Sequence, residues 1–417
     1  MIYLYSYSIC TYYLNSGFKQ RRELMPMDRK TFIKSVSIAA VSTQFTTASM
    51  PHINNVKSKN EKQSFKIQKI DNRYFLSSPE GEKFFSIGIN HVDSATLRYS
   101  ENEWIWKEKY ANSMEKWLKE SVRKNLLGWG FNTMGWNEEV VTRQAPDNHR
   151  HSRNFTPEEY RWLNMPYCHM LPFADFHNYD VETRHPDFFS KGFEEWCDYV
   201  ARDEASRLSD DHNLIGYFYV DCPTWLHTRP ESSWKGPLFD PEMLKSRAGR
   251  KELFRIATKY YKTTHDAVRR YDKNHLILGD RYNANRPLTD EIVNAAKPFV
   301  DVLSFQHMAS PEEIVQNLDY WHSKTGMPTL VADSHNAVRD ANTDYRNHTP
   351  ENYEKVYNLL KKTNSCIGYH LCGAYIEKRT RRLGLMDENE NPHTEIVKVI
   401  QRVNTDMDQW VKSFNSN

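Results

Sequence analysis

Residues 213–225 read NLIGYFYVDCPTW, an unbroken apolar run from Leu214 to Val220 that ends abruptly in Asp221, Cys222, Pro223 and Trp225. A short, continuously apolar run predicts a strand buried on both faces, and such strands belong to parallel sheets. The pattern recurs on either side, at Phe84–Ile89, Phe131–Gly135, Met170–Phe173, Leu276–Gly279, Val302–Phe305, Thr329–Ala332 and Ile367–Leu371. Amphipathic helical stretches lie between these runs, among them Met114–Leu127, Gly192–Leu208, Lys251–Tyr271 and Glu351–Thr363. Strand–helix alternation predicts an α/β fold, and eight units over about 350 residues predict a (β/α)₈ TIM barrel rather than an open sheet. No glycine-rich phosphate loop follows any strand, which speaks against a dinucleotide-binding fold.

Upstream of the first of these strands, FKIQKIDNRYFLSSPEGEKFFSIGINHV (65–92) reads as two short strands joined by polar turns. A short N-terminal β-hairpin extension is therefore expected to lead into the barrel, with the barrel domain covering 65–417. Residues 50–64 are polar and read as a linker. Within 1–49, the stretch DRKTFIKSVSIAAVSTQFTTAS (28–49) has the order of a secretory signal: basic, then briefly apolar, then small and polar. Its Arg29-Lys30 resembles a twin-arginine signal with lysine in second place. Met25 and Met27 are natural starts for it, and residues 1–24 read either as an over-extended start or as an interfacial anchor. The apolar run is too short to span a bilayer, so an exported protein, periplasmic or extracellular and without a stable membrane span, is expected.

Composition narrows the partners. The formal net charge is +2 over 417 residues, with no basic run interleaved with aromatics, so nothing favours nucleic acid or an anionic membrane. Aromatic residues make up 13% of the chain, and many stand in polar, loop-like contexts suited to stacking on sugar rings. The six cysteines form no CxxC pair and no zinc-ligand spacing, so mostly free, buried thiols are expected.

In a (β/α)₈ barrel the chemistry sits at the carboxyl ends of the strands. Asp221 and Asp333 each follow an apolar run after the fourth and seventh strands. Two carboxyl groups in different surroundings can divide the roles of proton donor and of base or nucleophile that glycoside hydrolysis needs. An aspartate after a strand also caps turns and helices, which is the plainer alternative for either one. Asn90, His91, Asn132, Gln306, His307, His335 and His370 fall near other strand ends as candidates for hydrogen bonds to sugar hydroxyls, as does Asp175 in the third. Trp136, Trp225 and Trp234 are candidates for stacking, or for packing against the barrel rim. Arg281 suits an acidic substituent on the substrate, or an internal pair with Asp221 or Asp280. His91, His169, His307, His335 and His370 raise the alternative of a metal-dependent hydrolase. No HxH or HExxH pair brings two of these five together, and no cofactor or metal is expected.

Taken in order, GEKFFSIGINHVD (81–93), GFNTMGWN (130–137), NLIGYFYVDCPTW (213–225), YDKNHLILGDRYN (271–283), VDVLSFQHM (300–308) and RLGLMDENENPH (382–393) resemble the catalytic barrels of agarase-like glycoside hydrolases. These belong to a broad clan of retaining barrel glycosidases, and the resemblance runs from about Phe65 to Val403. It implies a polysaccharide substrate, galactan-like or otherwise complex. That clan carries Asn-Glu after the fourth strand, where this chain has Cys222-Pro223 directly after Asp221, and Glu after the seventh, where it has Asp333. Each aspartate is one methylene shorter, which widens the carboxyl gap from about 5 Å toward the roughly 6.5–9.5 Å of inverting enzymes unless the backbone closes it again. A barrel that has lost hydrolysis and only binds glycans is the other expectation compatible with these replacements.

Overall fold

The apolar runs pair in parallel and in chain order, and the last returns to hydrogen-bond the first. The protein is described by a computed structural model over residues 64–144, 148–174, 186–223, 225–226, 241–335, 337–339, 346–372, 374–377 and 384–414. Cys10, the export segment, Asp175 and Trp234 lie outside these residues. Strands β1 (Lys66–Ile70), β2 (Arg73–Ser77) and β3 (Lys83–Phe84) form a small antiparallel sheet. The barrel strands are β4 (Ser86–Ile89), β5 (Thr133–Met134), β6 (Tyr167–Met170), β7 (Leu214–Asp221), β8 (Leu276–Asn283), β9 (Leu303–Gln306), β10 (Thr329–Ser334) and β11 (Cys366–Leu371). They close in that order, β11 meeting β4 through Gly368↔Ser86 and Leu371↔Ile89. The expected TIM barrel with its N-terminal hairpin is thus the observed fold.

Each strand buries two faces, as its continuous apolar run requires. Ile215, Phe218, Leu276, Leu278, Val302, Leu330, Ala332 and Ile367 fill the barrel interior. Tyr217, Tyr219, Ile277, Leu303, Phe305 and Val331 belong to a second core between the strands and the helices. That outer layer includes α1 (Pro157–Leu163), α2 (Lys191–Val200), α3 (Arg247–Tyr271), α4 (Asp290–Ala296), α5 (Pro311–Thr325), α6 (Pro350–Leu360) and α7 (Thr394–Ser413). Their starts are written locally: Ser310 accepts from the Glu313 amide while Glu313 reaches back, with Pro311 in the first turn.

The hairpin turns at Asp71-Asn72, both at positive φ (45° and 67°), the geometry a two-residue hairpin loop demands. Its Phe65 and Leu76 join the interior core, so the small sheet covers the amino-terminal end of the barrel.

One strand departs from its expected place. The third lies at Tyr167–Met170, not Met170–Phe173. Hydropathy dips there at His169, but the side chain faces outward and is satisfied: Nδ1 meets Tyr160 Oη at 3.1 Å and Nε2 meets Glu204 Oε2 at 2.8 Å. Cys168 faces the interior. The described cysteines 168, 197, 222, 366 and 372 are buried, and no disulfide joins any of them. Among the described residues no helix is long and apolar enough to cross a membrane.

Strand β7 also shows why glycine is needed at one position. A Cβ on Gly216 would stand 2.3 Å from the Leu276 carbonyl oxygen of β8, a backbone atom that cannot swing aside. Gly216→Ala is expected to lower stability by about 1–3 kcal/mol, read as a reduced urea midpoint at unchanged slope.

Candidate active site

Strict alternation along the strands would turn Asp221, Arg281 and Asp333 away from the barrel axis. Phe218 faces in, so Asp221 three residues later should face out; yet Tyr219 and Val220 both join the outer core, and the β7–β8 register slips between Phe218 and Asp221. In β8 the slip is centred on Gly279, whose φ is +68°. Leu278 faces in, Asp280 faces out to Tyr260 and Tyr261 of α3, and Arg281 faces in. In β10, Phe305 pairs with Val331 but Gln306 with Asp333, so Ala332 and Asp333 both reach the interior. Bulges of this kind re-aim side chains beside functional sites. Three of them converge here.

The result is a buried guanidinium between two carboxylates at the carboxyl end of the barrel. Arg281 Nη1 lies 3.2 Å from Asp221 Oδ1, and Nη2 lies 2.9 Å from Asp333 Oδ2. Below it, the guanidinium carbon stands 4.4 Å from the ring centre of Trp136. Burial works against the Arg281 charge, but Asp221 and Asp333, with Cys222 and Cys372 nearby, hold its pKa above the ordinary arginine value. The carboxylates are not equivalent: the Asp221 side chain is 19% exposed and that of Asp333 2%. Removing Arg281 would leave two carboxylates without their counter-charge, a loss that costs about 3–5 kcal/mol in buried pairs.

Neighbouring strand ends complete the constellation. Asn90 Nδ2 donates to Asp333 Oδ1 at 2.7 Å and to the Ala332 carbonyl at 2.8 Å. His91 Nε2 lies 4.0 Å from Asp333 Oδ2, its ring edge-on to Trp136. Cys222 Sγ donates to Gln306 Oε1. The His307 amide donates to the Asp333 carbonyl at 2.9 Å, and burial pushes the His307 imidazole below its usual pKa. His335 follows β10, half-buried. His91 and Cys222 both occupy left-handed backbone, φ 55° and 47°, an uncommon conformation for non-glycine residues that clusters at functional sites.

Three expected site residues stand elsewhere. Asn132 lies at the opposite end of the barrel, before β5, where its amide bridges the Ile87 amide (2.8 Å) and the Phe85 carbonyl (2.9 Å). A cavity of about 410 Å³ opens at that end, lined by Asn132, Phe65 and Pro166 among others. Trp225 packs outside the barrel against Phe188, Tyr260 and Tyr261 and is buried there. His370 sits inside the barrel beneath the site, its Nε2 2.8 Å from Ser86 Oγ. Trp136 is likewise buried, as the floor under Arg281. His169 is on the outer wall, where Glu204 and Arg207 line a cavity of about 350 Å³. The histidines therefore do not gather as one ligand set. The Cys372 amide donates to the Ser334 carbonyl at 2.6 Å, and the residue lies beside Asp333.

No protein-family pattern and no curated protein matches the sequence. Solved structures do. An exo-β-agarase superposes with TM-score 0.65 at 14% identity, covering 86% of this chain and 67% of that one. The agarase AgWH50C gives 0.62 at 16%, covering 85% and 65%, and BpGH50 gives 0.60 at 17%, covering 86% of each chain. A β-glucuronidase from Bacteroides uniformis gives 0.51 at 12%, covering 81% of this chain and 37% of that one. This chain spans about two thirds of the length of the two agarases. At such identities the likeness establishes the shared barrel.

Burial lowers the His370 pKa to about 3, with the Arg281 charge adding to the effect. An unfolded chain would take up that proton near pH 6.5, so neutral His370 supports the fold above this value and loses that support as pH falls toward 3. His370→Gln removes the linkage. Relative to the parent protein, the variant should gain about 2–3 kcal/mol between pH 7 and pH 4.5, measured by urea unfolding at both. A stability difference independent of pH would show that His370 takes up its proton in the fold as readily as in the unfolded chain.

Proposed function

We propose that this protein is an exported glycoside hydrolase that cleaves O-glycosidic bonds in a complex polysaccharide, galactan- or agarose-like, through Asp221 and Asp333. The observation that carries this reading is the pair of carboxylates held across one guanidinium at the carboxyl end of a barrel. The two amino nitrogens of a guanidinium are about 2.3 Å apart, which confines the two ion-paired oxygens to within about 8 Å of each other. Glycosidase carboxyl pairs occupy about 5–9.5 Å. The barrel shared with the agarases adds support, and agarose is therefore the polymer to test first.

Asp333, held through both oxygens by Asn90 and Arg281, is fixed in orientation as a nucleophile or base must be. Asp221 is the more exposed carboxyl group and the one from which a proton can reach a glycosidic oxygen arriving from solvent. Unmet hydrogen-bonding capacity surrounds the pair: among the described residues the buried Arg281 Nε, Asn90 Oδ1 and His307 Nδ1 have no partner. His91, Gln306 and His335 stand at adjacent strand ends.

The test is release of reducing sugar from agarose and from other algal, plant and host polysaccharides. Asp333→Asn and Asp221→Asn should each reduce turnover by about 10²–10⁴-fold, the usual weight of a positioned acid or base. Turnover that survives both substitutions would place the chemistry elsewhere. Binding without sugar release from any polymer would instead identify a glycan-binding barrel.

A further inference from the structure

Beside the Arg281 bridge, three donors of different chemistry converge on one point. One ring nitrogen of His91, a carboxylate oxygen of Asp333 and Sγ of Cys372 all lie within 4.8 Å of one another, and all three residues are buried. They come from the ends of three neighbouring barrel strands, β4, β10 and β11. The hydrogen bond from the Cys372 amide to the Ser334 carbonyl fixes one of them, and the left-handed turn at His91, whose amide reaches the Trp136 carbonyl at 3.3 Å, fixes another. We propose that His91, Asp333 and Cys372 form a binding site for a borderline divalent cation of the Zn²⁺ type.

The donor set selects the ion. One imidazole, one thiolate and one carboxylate suit Zn²⁺ or Co²⁺, whereas Mg²⁺ and Ca²⁺ require all-oxygen surroundings. Tetrahedral bonds of 2.0–2.3 Å separate donors by about 3.3–3.8 Å, so the three atoms need to draw in by about 1 Å. An outer shell is already in place. Asn90 hydrogen-bonds one oxygen of Asp333 and Arg281 forms an ion pair with the other, and a carboxylate oxygen has a second lone pair left for an ion. Charge also balances. Asp221, Asp333 and a Cys372 thiolate carry three negative charges, matched by Arg281 and a divalent ion. Binding converts the Cys372 S–H to a sulfur–metal bond and releases its proton to solvent.

Binding itself does not depend on the glycosidase reading. Its consequence does: an ion on Asp333 occupies the proposed nucleophile, so Zn²⁺ would inhibit reversibly. The full chain, reduced and stripped of metal, is titrated with Co²⁺ and then with Zn²⁺. One equivalent of Co²⁺ should produce tetrahedral ligand-field absorption and a thiolate-to-cobalt charge-transfer band, both displaced by Zn²⁺. Cys372→Ser should abolish the charge-transfer band, and His91→Gln should weaken Co²⁺ binding by about 100-fold or more, at least what loss of an outer partner costs. Cys197→Ser, at a buried thiol on α2, should change neither. Absence of the band, or a band unchanged in both Cys372→Ser and His91→Gln, overturns the site. A protein that binds Co²⁺ through Cys372 but releases no sugar keeps the metal site and loses the proposed function. Sugar release insensitive to Zn²⁺, with no cobalt band, does the reverse.

Discussion

A guanidinium buried at the mouth of a barrel needs negative charge within reach, and that need organises this site. Arg281 is fully enclosed, with Trp136 and Phe218 beneath it, and its charge is met by Asp221 on one side and Asp333 on the other. The interaction is directional as well as electrostatic. A planar fork with two outward nitrogens fixes where each carboxylate oxygen can sit. It therefore sets the spacing of strands β7, β8 and β10 at their ends, and with it the spacing of any chemistry done there.

Delivering those groups required the strands to break their own rule. A strand packed on both faces gains most from regular alternation, because every side chain then enters one core or the other. At Phe218–Asp221, around Gly279 and at Ala332–Asp333, regularity is given up so that three polar residues turn inward together. The cost is carried by neighbours. Asp280, turned outward by the Gly279 bulge, is buried among Tyr260, Tyr261 and Tyr282, and burial pushes its pKa up to about 6 despite hydrogen bonds from two of those hydroxyls.

The same site holds three ligand atoms of differing softness next to the ion pair. This follows from barrel closure, which brings the last strand beside the first and the seventh. Residues far apart in the chain, His91 and Cys372, meet at Asp333 because β11 lies between β10 and β4. A carboxylate so placed can serve a reaction or hold an ion, but one oxygen does not do both at once.

The sequence by itself determined the barrel, its strand order and its helical outer layer, because runs apolar on both faces admit few other arrangements. It also determined that Asp221 and Asp333 stand at strand ends, since an acidic residue cannot continue a buried run without a partner. It could not determine direction. In β7, β8 and β10 both faces are apolar, so no pattern distinguishes a residue turned to the axis from one turned to a helix, and a bulge of one residue exchanges the two. For that reason Arg281 had three readings in the sequence and a single one in the structure. Trp225 read either as a stacking platform or as rim packing and lies buried between barrel and α3, and Asn132, read at a strand end, belongs to the opposite pole because it precedes β5. Register and closure are properties of paired strands, and only the tertiary structure pairs them.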